Sequence, residues 1–194
     1  MKQSIDFLTT QIARLEEKGY DIPDKQAYID NILDYMEVVR EIESSNDNTQ
    51  VNAESGGAGF YQFIKDSIPT AKNRAKRMHT AEDYVANIPD NALEWDDDQA
   101  GLMFLAHAFG APINEKRTSV GSDELFHRIG TNFDPQAQQD LYMNYHYREV
   151  PDDATVNRAN SVIGEFYLEN YPETAKNSGG PITSPLYSDK RYLI

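Results

Sequence analysis

Glu43-Ser44 is followed, after a polar stretch, by Gly59-Phe60-Tyr61-Gln62-Phe63. A carboxyl group can give or take a proton, and a side-chain amide can hold a polar ligand through both a donor and an acceptor. An acid, a glycine-bearing loop and an amide in that order suit a buried general acid beside a groove for a polar polymer. The acid is placed by what precedes it. Ile29, Ile32, Leu33, Met36 and Val39 recur at helical spacing, and one further step of four residues lands on Glu43. Asp24 is an N-cap for this helix, and neither proline nor glycine interrupts it before Ser44. Glu43 is therefore expected on the core side of its own helix, near the C-terminal end. Burial disfavours the charged carboxylate, and the negative end of the helix dipole pushes the same way, so a raised pKa is expected. A carboxylic acid still protonated at neutral pH can protonate a leaving oxygen. The position equally suits a glutamate that reaches into solvent from a fraying helix end, because Glu is rarely fully buried.

From Ser45 to Gly59 the chain is polar and carries Asn46, Asp47, Asn48, Asn52, Gly56 and Gly57, which reads as a loop. Phe60-Tyr61-Gln62-Phe63-Ile64 is short and aromatic and reads as a strand stub. Glu-Ser, a loop and a Gly-x-x-Gln element resemble the start of the catalytic domain of lytic transglycosylases, with Tyr61 and Phe63 placed as in phage murein-degrading versions. The resemblance implies a mainly α, lysozyme-like helical domain with a minimal strand stub beside the active-site cleft. It implies Glu43 as the single catalytic carboxylate, Ser44 as its support, and Gly59, Tyr61 and Gln62 as substrate-binding residues. A weaker third element, Leu105-Ala106-His107-Ala108-Phe109-Gly110-Ala111-Pro112, stands where the family carries a tyrosine that hydrogen-bonds the acid. His107 takes that place as catalytic support. An imidazole there could bond the acid, but its charged form would lower the acid's pKa. His107 also fits a helix-embedded histidine bonded to backbone, with Gly110 as C-cap and Pro112 after it. The resemblance covers about Asp24 to Pro112.

The chain has 194 residues, enough for one real core, and a net charge of −14. That acidity opposes binding to duplex nucleic acid, whose phosphates it would repel, and leaves a saccharide ligand open. There is no cysteine, hence no disulfide, thiolate nucleophile or thiolate metal site. Neither a His-x-x-x-His pattern nor a carboxylate-rich glycine loop suggests a metal, and no cofactor is expected. Met1-Lys2-Gln3-Ser4-Ile5-Asp6 shows no apolar leader, and no stretch could span a bilayer. The expectation is synthesis in the cytoplasm without a signal peptide. Carriage in a phage virion would then bring the protein to the periplasm and cell wall. The expected partners are peptidoglycan glycan strands and other virion proteins.

The remaining elements read as helices. Ile5, Leu8, Ile12 and Leu15 stripe a first one, capped by Ser4 and closed by Gly19, within an N-terminal segment 1–23. The catalytic domain is read as 24–172. Within it, Asp66 or Ser67, Asp97 or Asp98, Asp134 before Pro135, and Asp153 or Thr155 are helix-starting signals. Lys72, Arg74, Lys76 and Arg77 form the one dense cationic cluster and read as a solvated face or a contact for an anionic surface. Trp95, Tyr142, Tyr145 and Tyr147 could stack on sugars, though core packing suits them at least as well, and His146 reads as a packed or surface histidine. Residues 173–194 are rich in glycine, proline and serine and end in Tyr192-Leu193-Ile194, which reads as a flexible or docking tail. Two further readings stay open. One is a hydrolytic lysozyme, which needs a second carboxylate across the cleft, with Asp47 and Glu54 available. The other is a catalytically inactive virion structural protein with the same fold.

Overall fold

The structure, a computed structural model, describes residues 1–78, 85–109, 111, 119–146 and 152–172. Gly110, Pro112, Tyr147 and the tail 173–194 lie outside the described residues. Among those described, the chain is mainly helical and contains seven α-helices. They are α1 (Lys2–Glu17), α2 (Lys25–Ser44), α3 (Ile68–Met78), α4 (Asp97–Phe109), α5 (Ser122–Asn132), α6 (Pro135–Leu141) and α7 (Asp153–Asn170).

Helix α4 is the centre of the core. Leu102, Met103, Phe104, Leu105 and Ala106 are all buried, so this helix is apolar on every side and surrounded by others. Helices α1 and α3 pack against it, while α2 packs against α5 and α7. Gly101 permits close contact, since a Cβ there would lie 2.7 Å from Met36 Cε and 2.8 Å from Ser4 Oγ. One hydrophobic core runs from Phe7 on α1 to Tyr167 on α7.

Most helix starts follow their sequence signals. Asp24 accepts from the Ala27 N–H, and Asp134 accepts from Gln136 and Ala137 with Pro135 in the first turn. The cap of α7 is Asp152, one residue before the expected start, accepting from Thr155. Ser4 departs from expectation. It lies inside α1, buried, and the Gln3 and Ser4 N–H groups donate to the Asp98 carboxylate at 2.8 and 2.9 Å. A carboxylate from the first turn of α4 thus does the capping that a local serine was expected to do.

The described residues form no strand. The expected stub over Phe60–Ile64 reduces to two isolated antiparallel bridges, Val51 with Ala58 and Ala58 with Phe63. The cause is local. Gly56 and Gly59 both have φ +72° and Gln62 has φ +48°, so the chain reverses too often for an extended run.

Candidate active site

Glu43 lies in the last turn of α2 with its side chain 9% exposed. Of the expected stripe, Ile29, Ile32, Met36 and Val39 are buried and Leu33 is partly buried, and the stripe carries the acid inward. After α6 the chain makes a π-helical turn, Tyr142–His146. This wider turn aims both ends of the segment at Glu43. The Tyr142 hydroxyl donates to Glu43 Oε1. His146 Nε2 lies 3.1 Å from the same oxygen. The two rings stack, with centroids 5.3 Å apart and planes 11° apart. Oε2 has no donor among the described residues. The edge of the carboxylate at Oε1 is therefore the held one.

Electrostatics reverse one expectation. Burial does push the Glu43 pKa up. The charge and hydrogen bond of His146, the Tyr142 hydroxyl and the Arg158 guanidinium outweigh it, and the carboxyl ends below its usual range. The helix dipole is countered as well. Arg158 of α7 donates to the Glu41 carbonyl at 3.0 Å and to Ser45 Oγ at 3.1 Å, which places a cation at the negative end of α2. In the resting site Glu43 is ionised at neutral pH.

The residues expected around the acid divide into two groups. Ser44 is buried, and its hydroxyl lies 3.1 Å from both the Arg40 and the Phe60 carbonyls. It ties the end of α2 to the Gly-x-x-Gln turn, a support by position. Arg40 adds to this, its guanidinium 3.8 Å over the Phe60 ring and bridging Glu37 and Asp97. Gly59 is required: a Cβ would meet the Ala92 carbonyl oxygen at 2.9 Å and Asn48 Oδ1 at 3.1 Å. Asn48 joins the loop to the far wall by donating to the Trp95 carbonyl and accepting from the Phe60 N–H. Gln62 donates its amide to the Gly59 and Gln50 carbonyls at 2.9 and 3.3 Å, and its left-handed backbone is a strained conformation held by this loop. Its carbonyl oxygen accepts no hydrogen bond among the described residues.

Tyr61 and His107 require correction. Tyr61 is 2% exposed and its ring stacks on Phe104 at 4.5 Å, so it is a core residue and offers no face to a ligand. His107 makes no hydrogen bond to Glu43. Its ring meets Phe63 edge-on at 5.7 Å, its backbone carbonyl accepts from Arg74, and burial lowers its pKa to about 3. The place assigned to His107 is filled by Tyr142 and His146. Trp95 is core, donating to the Pro89 carbonyl, and Tyr145 donates to the Val120 carbonyl. The four cations of α3 are partly used internally, since Lys72 reaches Ile88 and Asp90 and Arg74 reaches His107. Among the described residues no group of His, Asp and Glu could hold a metal ion.

No protein-family model, curated protein or solved structure matches the chain.

Proposed function

We propose that the chain is a peptidoglycan lytic transglycosylase with a lysozyme-like fold and Glu43 as its only catalytic carboxylate. The observation that carries this reading is a buried acid, Glu43, held on Oε1 by Tyr142 and His146 while Oε2 takes no donor among the described residues. It lies at the root of a glycine-bearing loop that presents Gln62. In this chemistry the protonated acid gives its proton to the oxygen linking MurNAc to GlcNAc. The resulting carboxylate then takes a proton from the MurNAc O6 hydroxyl as that oxygen closes on C1. The products are an anhydro-sugar end and a free GlcNAc hydroxyl, and the acid returns to its starting form. No water is consumed and no second carboxylate is required. The resting ionised state fits the base half of the cycle directly. The acid half needs proton uptake, favoured when a glycan strand displaces water from Oε2.

The remaining carboxylates of the loop fit the hydrolase reading less well. Asp47 is committed to its own turn, accepting from the Thr49 N–H and hydroxyl at 2.8 and 2.7 Å. Glu54 is exposed. One observation favours a non-enzymatic virion component instead: an ionised Glu43 surrounded by His146, Tyr142 and Arg158 is also what a structural ion pair looks like. The proposal includes delivery to the cell wall by a phage particle and contact with other virion proteins. No helix among the described residues is long and apolar enough to cross a membrane. Mass spectrometry of digested murein separates the readings. Anhydro-muropeptides support the lyase, reducing ends the hydrolase, and intact sacculi the structural role.

A further inference from the structure

We propose that Arg158 reads the substrate, its guanidinium taking a carboxylate that a glycan strand carries near the bond on which Glu43 acts. The assignment rests on the lytic reading and deepens it by naming the class of strand, an anionic one. The cation is built into place. Helix α7 buries Ala159, Ile163 and Tyr167 in the core, and Gln139 of α6 donates to the Asn160 side chain. This anchoring brings Arg158 to the end of α2. There one nitrogen, Nη2, donates to the Glu41 carbonyl at 3.0 Å and to Ser45 Oγ at 3.1 Å. The two acceptors flank Glu43 in sequence, and the charge of Arg158 is felt at the Glu43 carboxyl. The residue is exposed, and Nε and Nη1 make no hydrogen bond among the described residues.

The chemistry of the group selects the ligand. A guanidinium is always charged and carries only donors, so Nε–H and the two hydrogens of Nη1 call for an anionic acceptor. Because Nη2 is already tied to the end of α2, part of the side-chain entropy that binding would cost is spent beforehand. A chain with a net charge of −14 repels an anionic strand, so a site that works on one needs a local cation. Arg40, one turn before Ser44 on α2, is buried and pairs with Glu37 and Asp97, so it is committed elsewhere. Murein offers carboxylates of two origins. The lactyl group of MurNAc bears one in a strand stripped of peptide, and the stem peptide bears its own in an intact strand. The two share one chemistry toward Arg158.

The test is a binding measurement in Glu43→Gln, which removes the effect of Arg158 on the ionisation of the acid. Soluble murein fragments of four kinds are compared by calorimetry: peptide-bearing, peptide-stripped, and each of these with its carboxyls converted to amides. Amidation should weaken binding by at least about fivefold, the scale of one charged contact at an exposed site. Arg158→Met in the same background should weaken binding of the unmodified fragment by a similar factor and abolish the penalty of amidation. A penalty confined to peptide-bearing fragments assigns the stem carboxylate, and one seen with stripped fragments assigns the lactyl carboxylate. Equal affinity for the acid and amide forms would overturn the proposal, and that comparison needs no folded Arg158 variant. An amidation penalty undiminished in Arg158→Met, or no binding of any fragment, would overturn it as well. Murein cleavage by wild type separates this from the lytic reading. Cleavage without an amidation penalty defeats the role of Arg158 and keeps the lyase, whereas Arg158-dependent carboxylate binding without cleavage upholds the contact and defeats the lyase.

Discussion

Removing a single oxygen atom, by Tyr142→Phe, isolates one of the forces on Glu43. The ring of Tyr142 is buried and stacked on His146, so phenylalanine keeps the packing and deletes the donor to Oε1. Oε1 still has His146, so no buried acceptor is orphaned. A hydrogen bond to a charged group is worth about 1.5 to 3 kcal/mol net. Its loss should therefore raise the Glu43 pKa, because the hydroxyl is one of the groups that hold it down. The assay is a carbon-13 titration of glutamate carboxyls in wild type and Tyr142→Phe, with Glu43→Gln identifying the resonance. Stability gives a second arm. The Glu43 carboxyl is depressed in the folded state, so its contribution is fully present above the unfolded carboxyl range. It is lost as pH falls through the folded value. The stability gap between wild type and Tyr142→Phe should therefore be open at neutral pH and close in acid, once pH falls below the depressed folded value. A Glu43 pKa that does not rise in Tyr142→Phe would refute the claim that the hydroxyl holds the carboxylate.

Gly59→Ala should destabilise the protein by about 2 kcal/mol or more, since a left-handed backbone and a contact with the Ala92 carbonyl coincide there. A melting temperature unchanged in the variant would contradict this. His107 gives a pH effect of defined sign. Its folded pKa of about 3 lies below the unfolded value, so stability is full above about pH 6.5 and declines as pH falls toward 3, by up to about 1.4 kcal/mol per unit. Denaturant unfolding at pH 7 and pH 4.5 should show wild type losing about 2 to 3 kcal/mol more than His107→Gln over that interval, and equal losses would contradict the burial argument.

The sequence carried the frame of the site further than its contents. The stripe from Ile29 to Val39 is periodic because α2 has one buried and one solvated face, and that periodicity extends to Glu43. The environment of Glu43 was hidden for two reasons. Tyr142 contacts it across 99 residues of chain, and the turn that aims Tyr142 and His146 inward is π-helical, a geometry that propensity does not announce. Tyr142 and His146 stand four residues apart as a polar-tipped aromatic pair, the one local signal present. His107 was misplaced because α4 is apolar all round, so no stripe tells which side of it faces the acid. Tyr61 was misread because an aromatic beside a motif suits a core as well as a groove, and here it completes the packing on Phe104. The raised pKa expected for Glu43 considered its own helix alone, whereas the lowering groups come from the π-helical turn and α7.

The central claim is that Glu43 is the catalytic acid and base of a glycan lyase. It is tested most directly by digesting purified murein with wild type and with Glu43→Gln of verified fold, and identifying the fragments by mass spectrometry. The account predicts anhydro-muropeptides from wild type and none from Glu43→Gln, because the amide keeps the shape of the side chain and cannot transfer the proton. Undiminished release by folded Glu43→Gln, or intact sacculi after exposure to wild type, would contradict it.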